Sequence, residues 1–399
     1  MPRVGFSREP PPIADTPKPP AIAVIPSQHI AGHHALRGIA AVAVAVMHLQ
    51  LASRLGAEWL QVHLTFLANQ AVDLFFILSG FIFAYIYSER SQINWREFYV
   101  ARFARIYPLY LLSMGLVIGL DVVTYLRYGA VYRSLSPLRL LTNVLGIQAW
   151  FGHGTSESIN LPSWSVSVEI FLYILAFPML VRLFGTSFRP RLTSLSAVLL
   201  TSACVTAWCY VSYPEIDLHL PPRPLLRGVA GFVSGFVLCG WLRNRSWASP
   251  FSGAAFCVGC LLVVLTAHPY FSSGSFLCNI VLFLAMNLIV YASFSNHLLP
   301  GKLLSGNLFQ FLGAISYSLY LWHIPVELSV RRVMKLLTEN PFIEETPMFA
   351  WFLLFSVMTV SSVSYYCVED PLRRKIRRCL VGRNSVIRDL TGSMVTGVK

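Results

Sequence analysis

Arg37 and His48 lie within one apolar stretch, HHALRGIAAVAVAVMHL. In a helix their separation of eleven residues returns to within roughly 20° of one face and spans about 16 Å of axis. Both side chains therefore look toward one cavity. A neutral imidazole titrates close to operating pH and, oriented by a carboxylate, takes the proton from a hydroxyl as a general base. Other polar groups recur at a similar depth: Asp73 in LTFLANQAVDLFFILSGFIFAYIY, Ser165 and Glu169 in LPSWSVSVEIFLYILAFP, and Ser316, Tyr320, His323 and Glu327 in FLGAISYSLYLWHIPVE. Counted from the same surface at 1.5 Å per residue, Asp73, Glu169 and His323 sit about 9–10 Å down. Ionisable groups are costly in hydrocarbon, so four helices sharing one level imply a polar cavity. An imidazole at this level, oriented by a carboxylate such as Asp73 or Glu169, is the expected base.

Neither a serine nucleophile elbow nor an HExxH-type pair of histidines is present, so direct transfer is favoured over a covalent serine or metal mechanism, and no metal site is expected. In REFYVARFARIYPLYLL, Arg102 and Arg105 share a helix face at i, i+3. With Arg37 at the same level they suit a phosphorylated ligand, because guanidinium forks match phosphate geometry and stay charged. Taken singly, each of these arginines also fits a snorkelling role at the membrane boundary.

The elements that must position these residues follow from composition. The 399 residues are 55% hydrophobic and 12% charged, with a mean hydropathy of +0.60, too apolar to hide inside a water-soluble globule. The apolar runs have the length of helices, not the alternation of barrel strands. The expected fold is all-α: a polytopic membrane bundle of about ten transmembrane helices. Spans fall near 35–55, 66–87, 106–125, 163–184, 193–212, 226–242, 251–268, 275–294, 308–330 and 348–368. A run from Pro137, PLRLLTNVLGIQAWF, is too short to cross and reads as a re-entrant or interfacial helix. The expected organisation is a proline-rich cytoplasmic tail over 1–34, a transmembrane domain over 35–371, and a basic cytoplasmic tail over 372–399.

The net charge of +13 collects in loops and tails beside apolar runs, which argues for contact with membrane lipids and against nucleic acid. An even number of spans and the cluster PLRRKIRRCL place both termini in the cytoplasm, in a multi-pass protein of the cell inner membrane. Arg127, Arg133, Arg139, Arg331, Arg332 and Lys335 then face outward, against the rule or toward an anionic ligand. Cys257 and Cys260 form a CxxC inside an apolar run without a second ligand pair, which suits packing.

The ordered blocks LRGIAAVAVAVMH, VDLFFILSGFIF, RFARIYPLYLL, PSWSVSVEIFLYIL and LGAISYSLYLWH resemble the acyltransferase-3 family of membrane O-acyltransferases, over about Leu36 to Pro371. The resemblance implies transfer of an acetyl or other short acyl group from acyl-CoA, most often acetyl-CoA, to a hydroxyl of a sugar in a cell-surface glycan, exopolysaccharide or lipo-oligosaccharide. Some relatives acylate small metabolites such as macrolides. It also implies His48 as the catalytic residue, Arg37, Arg102 and Arg105 as the acyl-CoA ligands, and Trp164, Ser165, Glu169, Ser316, Tyr317, Tyr320 and His323 as family site positions. Ile170 departs from the family pattern, in which a second acidic residue often follows Glu169. The extracytoplasmic hydrolase-like domain of two-domain peptidoglycan acetyltransferases is not expected. A reading from another class is a proton-coupled transporter or flippase, its buried His, Asp and Glu relaying protons.

Overall fold

The computed structural model describes residues 31–87, 92–129, 136–151, 158–185, 188–211, 222–243, 251–267, 275–294, 299–337 and 346–381. Every regular element among them is helical. In chain order these are α1 (Ala31–His48), α2 (Leu51–Arg54), α3 (Glu58–Tyr87), α4 (Trp95–Tyr128) and α5 (Pro137–Leu145). A short 3-10 turn, Leu161–Ser163, leads into α6 (Trp164–Phe171), which passes through a π-helical stretch, Leu172–Ala176, into α7 (Phe177–Phe184). There follow α8 (Leu192–Val211), α9 (Arg223–Leu242), α10 (Ser252–Ala267), α11 (Phe276–Ser293), α12 (Leu299–Leu304), α13 (Asn307–Leu337) and α14 (Pro347–Ser364). A second π stretch, Tyr365–Glu369, joins α14 to α15 (Asp370–Val381).

Each expected span has a helical counterpart. Seven helical segments among the described residues are long and apolar enough to cross a membrane, and α10 is a shorter apolar helix. The helices α1 and α13 are not among the seven, because their polar residues, among them His33, His34, Arg37 and His48 on α1, keep them below that apolarity. Helix α5 is nine residues long, as the short run requires. Boundaries differ from the expectation where polar ends continue a helix. Thus α4 begins at Trp95 because the Asn94 side chain accepts from the Glu97 N–H and caps it. Residues 31–34, expected in the tail, already belong to α1, and His33 is buried there with Nε2 donating to the Val290 carbonyl at 2.9 Å. Residues 372–381 are likewise helical, while the rest of both expected tails lies outside the described residues.

Two helix pairs carry the frame of the site. Helix α3 packs along α9, and α1 along α13. Both pairs use glycine for close backbone approach. A Cβ at Gly80 would stand 1.9 Å from the Phe232 carbonyl oxygen and one at Gly235 1.9 Å from that of Ile77. Between α1 and α13, a Cβ at Gly38 would meet the Gly313 nitrogen at 2.6 Å, and one at Gly313 the His34 carbonyl at 2.4 Å. Apolar side chains on α4, α10 and α14, among them Leu112, Val123, Val264 and Phe355, remain exposed on the outside of the bundle, the surface that lipid tails cover.

Helix α13 contains Pro325, which has no N–H to give the Leu321 carbonyl. The Asn160 amide supplies that donor at 3.0 Å. The segment around Asn160 is drawn into the bundle: Ser158, Ile159, Asn160, Pro162 and Ser163 are all buried. Helix α6 therefore starts well inside the protein.

Candidate active site

Two cavities lie between α1, α3, α6 and α13. One, of about 470 Å³, is lined by Arg37, Phe75, Ser79, Ser165, Glu169, Ser316, Tyr317 and Tyr320 among others. The second, of about 430 Å³, is lined by Val44, Met47, His48, Asn69, Leu161 and Trp164. Val72 and Tyr320 belong to both walls. The sequence reading of one cavity seen by Arg37 and His48 thus becomes two adjoining chambers. The Tyr320 hydroxyl stands at the division, 2.7 Å from Ser165 Oγ and donating to the Pro162 carbonyl at 3.1 Å.

At the His48 end, ring Nδ1 lies 3.0 Å from the Val44 carbonyl. A carbonyl only accepts, so Nδ1 carries the proton of the neutral ring and Nε2 is its basic nitrogen. The ring stacks on His323 with centroids 5.1 Å apart and planes 29° from parallel. His323 is fully buried, its Nδ1 turned to the Leu319 carbonyl at 3.2 Å. Trp164 completes this chamber.

Asp73 does not turn toward His48. Its Oδ1 accepts from Arg227 Nε at 3.1 Å, and its Oδ2 accepts from the Tyr210 hydroxyl at 2.8 Å and from Arg227 Nη2 at 3.3 Å. The guanidinium of Arg227 lies 5.3 Å over the Trp164 ring and 4.5 Å over Tyr210. Both ionic side chains are closed off, at 1% and 0% exposure. Asp73 thus touches the site through Arg227 and Trp164.

Glu169 belongs to the Arg37 chamber, not to the level of His48. It accepts a hydrogen bond from Tyr173, and its charge reaches both Arg37 and Arg105. The reason is the buried start of α6: residues counted from a supposed membrane surface were already deep at Leu161. A second carboxylate, Glu369, faces the same two arginines and accepts from Ser318 at 2.7 Å. Glu369 ends one π stretch and Tyr173, the partner of Glu169, lies in the other, a distortion that often marks functional positions. The Nε of Arg37 and that of Arg102 are buried without a hydrogen-bond partner among the described residues. Arg102 also rests its guanidinium 4.8 Å over the Phe83 ring. Tyr317 donates to the Ile106 carbonyl at 2.8 Å and so fixes α13 beside α4 and its arginines, while Ser316 donates back to the Gly313 carbonyl of its own helix at 2.8 Å.

The structure thus brings Arg37, Arg102, Arg105, Glu169, Ser165, Ser316, Tyr317 and Tyr320 to one end, and His48, His323 and Trp164 to the other. Sequence reasoning missed Arg227, Tyr210, Tyr173 and Glu369. Arg227 had a signal: it sits at the head of the run RGVAGFVSGFVLCGWL, where a flanking role also explains an arginine. Two of the outward arginines that strained the charge rule have acidic partners, and Arg133 lies outside the described residues. Arg331 pairs with Glu327 at 2.8 Å, Arg332 with Asp121 at 3.1 Å, and Arg54 reaches Glu327 at 3.8 Å. Among the described residues no group of three or more His, Cys, Asp or Glu side chains is placed to hold a metal ion.

Residues 30–367 match the family model described as an acyltransferase domain. The chain belongs to the acyltransferase-3 family. This acyltransferase is 30% identical over 282 residues to acyltransferase MdmB of Streptomyces mycarofaciens, covering 66% of this chain and 69% of the relative. It is 26% identical over 319 residues to the exopolysaccharide production protein ExoZ of Rhizobium meliloti, covering 77% and 90%. It is 22% identical over 372 residues to O-acetyltransferase OatA of Staphylococcus aureus, covering 87% of this chain. The chain spans 58% of the length of OatA. No solved structure matches it. Family membership implies an acyl donor and an acceptor, and places the chain with membrane-bound transferases, not with transporters.

Proposed function

We propose that this enzyme transfers an acetyl or short acyl group from acyl-CoA, acetyl-CoA above all, to a hydroxyl of a sugar in a cell-surface glycan, exopolysaccharide or lipo-oligosaccharide. The observation that carries the reading is the adjacency of the two chambers, one walled by Arg37 and the other by His48, with Tyr320 between them. Arg37, Arg102 and Arg105 hold the phosphates of the donor, and the acyl thioester extends past Tyr320. The acceptor hydroxyl enters beside Trp164, whose ring offers a face for a sugar. His48 Nε2 takes the hydroxyl proton as the oxygen attacks the thioester carbonyl. The tetrahedral intermediate then expels the thiolate, which recovers the proton from the imidazolium as free CoA thiol. Ester and thiol are the products, and the base is regenerated.

Asp73 serves this step through Arg227, which presents Trp164, and Glu169 steadies Arg37 and Arg105 before the donor binds. His323, stacked on His48, fixes the plane of the ring. In this reading the arginine end opens to the cytoplasm, the protein resides in the inner membrane with both termini cytoplasmic, and membrane lipids surround it. Similarity to a protein named for exopolysaccharide production, along 90% of that protein's length, supports the sugar acceptor.

The test is thiol release from acetyl-CoA by the full chain in lipid nanodiscs, with exopolysaccharide fragments or a macrolide as acceptor. Release that depends on the saccharide and disappears in His48→Ala supports the proposal. Release driven by the macrolide alone redirects the acceptor to a small metabolite, and full activity of a folded His48→Ala variant overturns the mechanism.

A further inference from the structure

The donor-binding arginines are not confined to α1 and α4. Helix α15 packs against α4 and turns two of its arginines, Arg373 and Arg377, toward the bundle, while Arg374, Lys375 and Arg378 stay exposed. Spaced i, i+4, these two share a face and stand about 6 Å apart along the axis. Arg377 is within electrostatic reach of Arg102 and Glu97, and Arg373 of Glu369 and His34. The two helices run in opposite directions. Glu369 at the start of α15 stands by Arg105, and Arg377, eight residues on, stands by Glu97, eight residues back along α4. Both intervals measure about 12 Å, so the two proximities are consistent with one antiparallel register between Glu369 and Arg377. The result is a graded series from deep to mouth: Arg37 and Arg105, then Arg102, then Arg377.

Such crowding of like charge is unfavourable unless something anionic joins it. Arg37 and Arg105 have Glu169 and Glu369 as neighbours, and Arg373 is bonded to Asp370 at 2.7 Å. Among the described residues, nothing accepts from the buried Nε of Arg37 or from that of Arg102. One phosphate cannot span the series. A ligand with two phosphate groups set apart can.

We infer that α15 forms the outer part of the donor site, with Arg377 recognising the ribose 3′-phosphate of coenzyme A while Arg37 and Arg105 take the diphosphate. The inference rests on the reading of the donor as acyl-CoA. It assigns a ligand to the basic segment that charge patterning alone attributes to membrane orientation. It also makes the enzyme discriminate between coenzyme A and its 3′-dephospho form.

The experiment is binding of coenzyme A and of dephospho-coenzyme A to the full chain in nanodiscs, by calorimetry, for wild type and Arg377→Gln, Arg378→Gln and Arg105→Gln. Wild type is expected to prefer coenzyme A by about tenfold, the worth of one charge-assisted contact. Arg377→Gln should remove that preference by weakening coenzyme A alone, leaving dephospho-coenzyme A within about twofold, which also certifies an intact inner cavity. Arg378→Gln, the same charge change on the exposed face, should leave both affinities as they were, and Arg105→Gln should weaken both. Equal binding of the two ligands by wild type overturns the inference, as does equal weakening of both by Arg377→Gln. Failure of wild type to bind either one overturns the donor reading beneath it.

Discussion

The two ends of the paired cavity treat buried charge in opposite ways. Near His48 the central ion pair is closed. Arg227 and Asp73 satisfy each other through two hydrogen bonds, Tyr210 adds another to Asp73, Arg227 also donates to the Asn69 carbonyl, and Glu327 and Asp121 pair with arginines around the rim. Near Arg37 the charges are open, with three arginines, two glutamates and two buried guanidinium nitrogens that nothing among the described residues accepts from. On the proposed function, the difference separates scaffold from ligand site. A buried ion pair whose hydrogen bonds are complete loses stability when one partner is removed. A surplus of cations with unsatisfied donors is relaxed by an incoming anion, so its loss shows in binding.

The sharpest way to break this comparison is to remove the base. His48→Ala should lower acyl transfer by roughly 10²–10⁴-fold. Coenzyme A affinity, measured by calorimetry, should stay unchanged, and a parallel loss of binding would merge the two ends. Next in size, Asp73→Asn leaves the Arg227 guanidinium buried without its counter-charge. A loss of about 3–5 kcal/mol is expected in the unfolding of the solubilised protein. Arg105→Gln should do the reverse: thermal stability close to wild type, and donor KM raised by about 10- to 100-fold. If Arg105→Gln unfolds the protein while Asp73→Asn only slows it, the assignment of scaffold and ligand site is inverted.

Two glycines sharpen the same point at the level of the frame. Gly80→Ala forces a methyl against the Phe232 carbonyl and separates α3 from α9, the helices that carry Asp73 and Arg227. Overpacking of this kind costs about 1–3 kcal/mol. Gly115 on α4 has open space where a Cβ would go, and Gly115→Ala should raise stability by about 0.4–1 kcal/mol. Melting curves of the two variants in one detergent compare them directly.

Much of this was legible in the residues. The helical spans follow from run length, because a bilayer core needs about twenty apolar residues with every backbone group bonded internally. Arg37 and His48 on one face follow from helix geometry, and the arginine pair of α4 from its i, i+3 spacing. Asp73 and Glu169 were visible as costly groups at depth, but their partners were not. Asp73 meets Arg227 across 154 positions of sequence, and Glu169 reaches Arg37 because a buried turn carries the start of α6 inward.

The sequence by itself therefore determined that this chain spans a membrane as helices, and that Arg37, Asp73 and His323 are among the polar side chains that face inward, since both depend on local period and transfer free energy. The tertiary structure alone decided which charge answers which. Pairing depends on where Gly80 and Gly235 let α3 and α9 touch, where Pro325 leaves a carbonyl for Asn160, and how α15 returns along α4. Those contacts join residues far apart in the chain, and no local rule fixes their register.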